Sequence, residues 1–211
     1  MYQNVRKSET GVEDRWNEWR SSRDSLFATH PQSPLTKEQR SRFQGLNYFP
    51  YDSSLRFEVP VQPLNDSSII EVDLIDDGPM RLRRVGRIEF SVGAGKCLLT
   101  LFMLLAYGGG LFLPFRDATN GTATSAPDAN SLPDTPRARS YSYGGGRYLL
   151  DTIKHADLGG VENRLIIDFN FAYNPSCAYN PRWHCPLAPP ENWLEIAIEA
   201  GEAGFPDVPV I

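Results

Sequence analysis

Cys97–Phe115 reads CLLTLFMLLAYGGGLFLPF, nineteen residues without a charge between Lys96 and Arg116. Taken as one helix, the run approaches the roughly 20 apolar residues that span a bilayer. Against that reading stand Gly108, Gly109 and Gly110 in its middle and Pro114 near its end. Each internal glycine costs a helix about 1 kcal/mol relative to alanine. A strand, a glycine turn and a second strand account for the same letters. The expectation is a β-hairpin, with no membrane partner.

The texture on either side agrees. Arg56-Phe57-Glu58-Val59 and Ile70-Glu71-Val72-Asp73-Leu74 alternate, and Arg81–Phe90 alternates imperfectly through Leu82, Val85, Ile88 and Phe90. Asp76-Asp77-Gly78-Pro79 is a turn signal. Downstream, Tyr148–Asp151, Leu165–Phe169 and Trp193–Ile198 read as further strands. Residues 11–46 differ, with Val12, Trp16, Trp19, Arg23, Leu26 and Phe27 recurring at helical spacing. That predicts a helix over 11–28 behind a capping box at Thr10 and Glu13. A second, shorter helix follows, capped by Thr36 with Gln39 three residues on and ending near Gly45. The whole, 1–211, reads as a single, mainly β domain. Two N-terminal helices (11–46) precede a β domain (55–202), an antiparallel barrel or twisted sheet of about seven to eight strands. Residues 120–142, NGTATSAPDANSLPDTPRARSYS, lack hydrophobic periodicity and read as a flexible loop between strands.

A net charge of −5 and a pI near 5.3 argue against nucleic acid as a partner, since its binders carry a basic stripe. The opening MYQNVRKSETGVEDRWNEWR has no apolar signal-peptide core, so a cytoplasmic location is expected. Three cysteines cannot complete a disulfide framework.

Three familiar chemistries fail on spacing. Gly93-Ala94-Gly95-Lys96 lacks the first glycine and the final Ser or Thr of a phosphate loop, because Phe90 and Cys97 stand there. Cys177, His184 and Cys185 suit zinc by type but lack a paired C-x2-C knuckle. A Cys177–Cys185 disulfide is sterically conceivable, and two buried structural thiols are the default. No serine-elbow G-x-S-x-G exists, and His30, His155 and His184 sit in no nucleophile context. Neither metal nor cofactor is expected.

Arginines and carboxylates at strand ends remain. Arg116-Asp117 and Thr119 follow an apolar strand, Arg147 follows three glycines, and Asp168 and Asn170 end the Leu165–Ile167 run. Asn174, Glu191 and Asn192 follow. If these ends share a rim, two guanidinium forks hold a small carboxylate or phosphate. The competing reading is an internal Arg–Asp network tying loops to the sheet. Tyr173, Tyr179 and Trp183 serve either as pocket walls or as core.

Five motifs occur in order: FLPFRDATNG (112–121), GGGRYL (144–149), DFNFAYNPSCAY (168–179), CPLAPPENWL (185–194) and AGE (200–202). With HPQSPLTKEQRSRFQGLNYFPYD (30–52), they resemble the family called domain of unknown function 1684, from about Trp19 to Glu202. That family is bacterial and archaeal and has no assigned activity. By resemblance its pattern residues fall on Arg116, Asp117, Thr119, Gly121, Gly146, Arg147, Asp168, Asn170, Asn174, Cys177, Cys185, Pro186, Glu191, Asn192 and Glu202. The resemblance also makes Ser125–Ser142 an insertion, placed to narrow or cover the rim. The leading expectation is a protein that binds a small polar or anionic molecule, anchored by Arg116 and Arg147. One alternative is an enzyme with Asp168 or Glu191 as general base and those arginines stabilising negative charge. The other is an interaction or structural module with no ligand.

Overall fold

The charge-free run folds as two paired strands. A computed structural model describes residues 1–8, 10–74, 78–105, 109–121, 141–162 and 164–207. Helices α1 (Tyr2–Lys7), α2 (Val12–Thr29) and α3 (Lys37–Arg42) come first. Strands β1 (Arg56–Pro60), β2 (Gln62–Pro63), β3 (Ile69–Leu74), β4 (Gly78–Val92), β5 (Gly95–Leu104) and β6 (Gly110–Phe115) follow. Then come β7 (Asn120–Gly121), β8 (Ser142–Tyr143), β9 (Arg147–Asp151), β10 (Gly160–Val161) and β11 (Arg164–Asp168). Asp76, Asp77 and Gly108 of the expected turns, and 122–140 of the expected flexible loop, lie outside the described residues.

The protein is mainly β, built on antiparallel sheets. The largest runs β2-β4-β5-β6-β9, with β3 also paired to β4; β1-β11-β10 form a second, and β7 pairs β8 in parallel. No closed barrel forms among these residues, because the large sheet ends at β9 as an open, twisted edge. Gly93 and Ala94 make the β4–β5 turn, with Gly93 at φ +56°, so the failed phosphate-loop letters are hairpin chemistry.

Both faces of the large sheet are covered. Leu82, Phe102, Leu104, Phe112 and Tyr148 pack with Trp16, Trp19, Phe27 and Phe171. On the other face Ile88, Leu99, Leu101, Leu113 and Phe115 pack with Val59 of β1, Ile167 of β11 and Phe169. Two-sided burial is why the Cys97–Phe115 run is continuous rather than alternating. Pro114 cannot donate to a ladder and sits where the β6–β9 register shifts.

Three sequence expectations are corrected. Helix α2 is capped by Gly11 without a side-chain bond, and Thr10 instead shares its hydroxyl with Ser8 at 2.8 Å. Three helices open the chain where two are expected, because α1, six residues long, is too short for a period to show. Trp193–Ile198 is not a strand; it follows 116–118 through Arg116 O to Leu194 N (2.8 Å) and Ile196 O to Ala118 N (2.9 Å). The cap at Thr36 holds as a full capping box with Gln39. No described helix is long and apolar enough to cross a membrane.

Candidate functional site

Gly146, at φ +92°, presses against Phe115 O so tightly that a Cβ would lie 2.5 Å away. That close approach delivers Arg147 into the interior, where it has no exposed surface. Its Nη2 donates to Asp117 Oδ2 at 2.7 Å and to Ile198 O at 2.9 Å, and its Nη1 donates to Ala200 O. The guanidinium also lies over the Phe115 ring, 5.1 Å from its centroid. Asp117 Oδ1 accepts from Thr119 N (2.8 Å) and Ile198 N (3.2 Å), while Thr119 Oγ1 meets Ser142 Oγ at 2.7 Å. Arg147 therefore fastens the C-terminal segment to β6 and β9.

Arg116 leaves in another direction and stacks on the half-exposed Trp193 ring at 4.5 Å. The two arginines do not share a concavity, so the expected two-fork rim is not assembled. Glu191 makes a bidentate pair with Arg84, at 3.0 Å from Nε to each carboxylate oxygen. Asn192 is fully buried: its Oδ1 accepts from Thr100 N (2.8 Å), and its Nδ2 donates to Thr100 O (2.9 Å) and Pro114 O (2.7 Å). Asn174 donates from its main-chain N to Glu202 Oε2 (3.1 Å) and from Nδ2 to Ala203 O (2.8 Å).

Glu202, expected to join either the internal network or a pocket, lies in a buried network. Buried, it accepts from Arg23 Nη2 at 2.6 Å and from the Tyr179 hydroxyl. Burial raises its pKa, and Arg23 opposes that rise. An arginine on the Trp face of α2 was the available signal.

Asp168 and Asn170 do act together. Asp168 Oδ1 accepts from Asn170 N (3.0 Å) and Nδ2 (2.8 Å). Asn170 also mimics a strand partner for Asp52, accepting from its N (2.8 Å) and donating to its O (2.7 Å). Asp168 Oδ2 is buried without a hydrogen-bond partner, and Asp168 lines a cavity of about 110 Å³ with Arg6, Arg15 and Arg56. Burial pushes its pKa up to about 6 against the hydrogen bonds from Asn170.

A second cavity, about 300 Å³, opens beside β4, β5, β6 and β9. Leu74, Met80, Leu104, Phe112 and Tyr148 give it apolar walls, and Asp151, Lys154, His184 and Cys185 bring polar groups to it. Lys154 Nζ lies 3.5 Å from Asp151 Oδ2. Beside it, Tyr143 Oη donates to Cys177 Sγ at 3.6 Å. Interaction between the two thiols pulls Cys185 below the usual thiol range and pushes Cys177 above it. All three cysteines are unbridged, and no cluster of three or more His, Cys, Asp or Glu stands ready for a metal among the described residues. Sequence spacing found the two thiols and His184 but missed the cavity, because Asp151 ends β9 and Lys154 lies in the 3-10 turn after it, and neither carries a motif.

Residues 41–128 and 131–203 match the family described as Protein of unknown function (DUF1684). The chain is similar to an uncharacterized protein of Haloarcula marismortui, seen in a solution NMR structure, at 32% identity over 90% of this chain and 92% of that one, with a TM-score of 0.57. No curated protein matches. The chain belongs to the DUF1684 family.

Proposed function

We propose that this member of the DUF1684 family binds a small molecule with an apolar body and a polar or anionic head in the cavity beside Tyr148. The observation that carries the reading is the cavity itself: about 300 Å³, apolar on most sides, with Lys154, His184 and Cys185 among its lining. That volume lies at the lower end of small-molecule sites, which combine apolar walls with a few placed polar groups. Arg116 and Arg147 play no part in it. Arg147 ties the fold together, and displacing Asp117 from it would leave a buried carboxylate unpaired.

The test is a thermal-shift screen of the full chain against aryl and alkyl carboxylates and their uncharged analogues. At 100 times the dissociation constant a ligand stabilises by about 2.7 kcal/mol. For a chain of this size that is a Tm rise of roughly 5–10 °C. Met80→Trp, which fills the cavity from a half-buried wall, is expected to remove the rise. A rise that survives Met80→Trp places the ligand elsewhere and ends the reading.

Asp168 supports a second reading, an acid–base group acting on a small oxyanion. It rests on the unpartnered Oδ2 and the three arginines around its cavity. Bicarbonate is expected to shift the Asp168 carboxyl carbon resonance, and Arg15→Ala to abolish that response. A resonance indifferent to bicarbonate removes this reading.

A further inference from the structure

We propose that the cavity at Asp168 takes up a short-chain monocarboxylate together with one proton, the anion's head held by Arg15 and the Asp168 carboxyl and its tail by the apolar wall. The inference rests on the second reading, that of Asp168, and names the ligand class and its coupling.

Two buried groups on this cavity lack protein partners. Asp168 gives Oδ1 to the N and Nδ2 of Asn170, which leaves Oδ2 buried and unbonded. Arg15 donates from Nη1 to Val5 O (3.3 Å) and Ser8 O (3.5 Å), while its Nε is buried and likewise unbonded among the described residues. An acceptor and a donor thus stand unmet on one space of about 110 Å³. A single water needs only roughly 10–15 Å³. Val5, Val12, Leu158 and Ile166 give the same space an apolar wall. A guanidinium beside such a wall suits a carboxylate that carries a short hydrocarbon tail.

Charge sets the stoichiometry. Arg6, from α1, pairs with Asp157 at 2.5 Å, and Arg56, from β1, pairs with Glu58 at 3.1 Å. Asp52 turns its Oδ1 onto Ser54, Glu13 of α2 is exposed to solvent, and burial raises the pKa of Tyr51, which stays neutral. Among the described residues that leaves Arg15 and Asp168 as each other's counter-charge. An ionised Asp168 balances Arg15 and repels an arriving anion. Once protonated, it frees Arg15 for the anion and turns Oδ2 into a donor toward it. The proton comes from solvent and ends on Oδ2; no other bond changes. Burial already holds the Asp168 pKa near 6, so this proton is within reach at neutral pH.

The experiment titrates the full chain with sodium butyrate, and with butyramide as the uncharged control, followed by the methyl resonances of Val5 and Val12. Butyrate is expected to saturate, with a Kd that rises roughly tenfold from about pH 6.5 to about pH 7.5 as Asp168 ionises. Butyramide is expected to show no such slope. Asp168→Asn, whose amide donates at every pH, is expected to bind butyrate with a Kd independent of pH. Arg15→Met is expected to lose binding, and Met80→Trp, in the other cavity, to change nothing. A wild-type Kd without the slope, a slope that survives Asp168→Asn, or binding lost in Met80→Trp overturns the proposal. So does the absence of any saturable shift, which would leave the cavity to water. The Asp168→Asn outcome decides the coupling whatever Arg15→Met does to folding. Butyrate bound without a slope, beside a bicarbonate response lost in Arg15→Ala, overturns the coupling and leaves the second reading standing. Butyrate bound with the slope while bicarbonate is silent ends the acid–base role and keeps the binding site.

Discussion

At Arg147 a charge is fully buried and every described acceptor around it belongs to the protein. Removing one partner of such a pair strands the other. Arg147→Ala is expected to destabilise the fold by about 3–5 kcal/mol in urea denaturation. Arg147→Lys should recover only part of that, because an ammonium cannot reproduce the planar fork. Asp168 carries a pH signature of the opposite kind. Its folded-state pKa, about 6, lies above the ordinary aspartate value of 3.8, so the folded protein holds this proton more tightly than the unfolded chain. Stability from this group is therefore present below pH 4, falls as pH rises from about 4 to 6, and is lost above that window. The full span is of order 3 kcal/mol. Asp168→Asn should remove that slope, with stability measured by denaturant midpoint between pH 4 and 8. Both residues were legible as important in sequence, since an arginine after three glycines and an Asp-Phe-Asn at a strand end are unusual letters. Their destinations were not legible, because nothing local tells a buried fork from an exposed one.

At the scale of elements, Asn192 replaces a missing stretch of ladder. The β5–β6 register covers only Phe102–Leu104 against Gly110–Phe112, and the Asn192 amide bridges Thr100 to Pro114 beyond it. Asn192→Ala should cost about 2–3 kcal/mol by leaving buried main-chain groups unpaired. Faster hydrogen exchange at Thr100 N is the expected signature, and unchanged protection there would contradict the bridging role. Strands with alternating or continuous apolar letters were readable: the seven runs expected between Arg56 and Phe169 all fall on strands. The eighth, Trp193–Ile198, alternates just as well yet makes only an isolated bridge, from Arg116 to Trp193. Its period comes from lying over the large sheet, with Ile198 packed into the core and Trp193 outside. A period of two reports one buried face and not hydrogen bonding.

On the scale of the molecule, the helices complete the core on one face of the large sheet, where Trp16 and Trp19 sit with Phe102 and Phe112. The Arg23–Glu202 bond pins that layer to a residue 179 positions further along the chain. Arg23→Ala and Glu202→Gln should each destabilise the protein by a few kcal/mol, and the double variant by less than their sum, with a coupling of about 1–3 kcal/mol. Additivity in that cycle would mean the pair is incidental. Mainly β character and the N-terminal helices were foreseeable from pattern. An open sheet rather than a barrel was not, since closure depends on which edges meet, and edges have no sequence signature.

The 179-residue separation also sets a timetable for synthesis. Helix α2 leaves the ribosome with two large indoles on one side, while its carboxylate partner is translated 179 residues later. At about 5–20 residues per second, some 10–40 s pass before Glu202 exists. For that interval the nascent helix carries an arginine without its counter-ion and tryptophans without their sheet. It is then a natural client for a holding chaperone, and ribosome-bound chains stopped before Glu202 should remain sensitive to protease at α2.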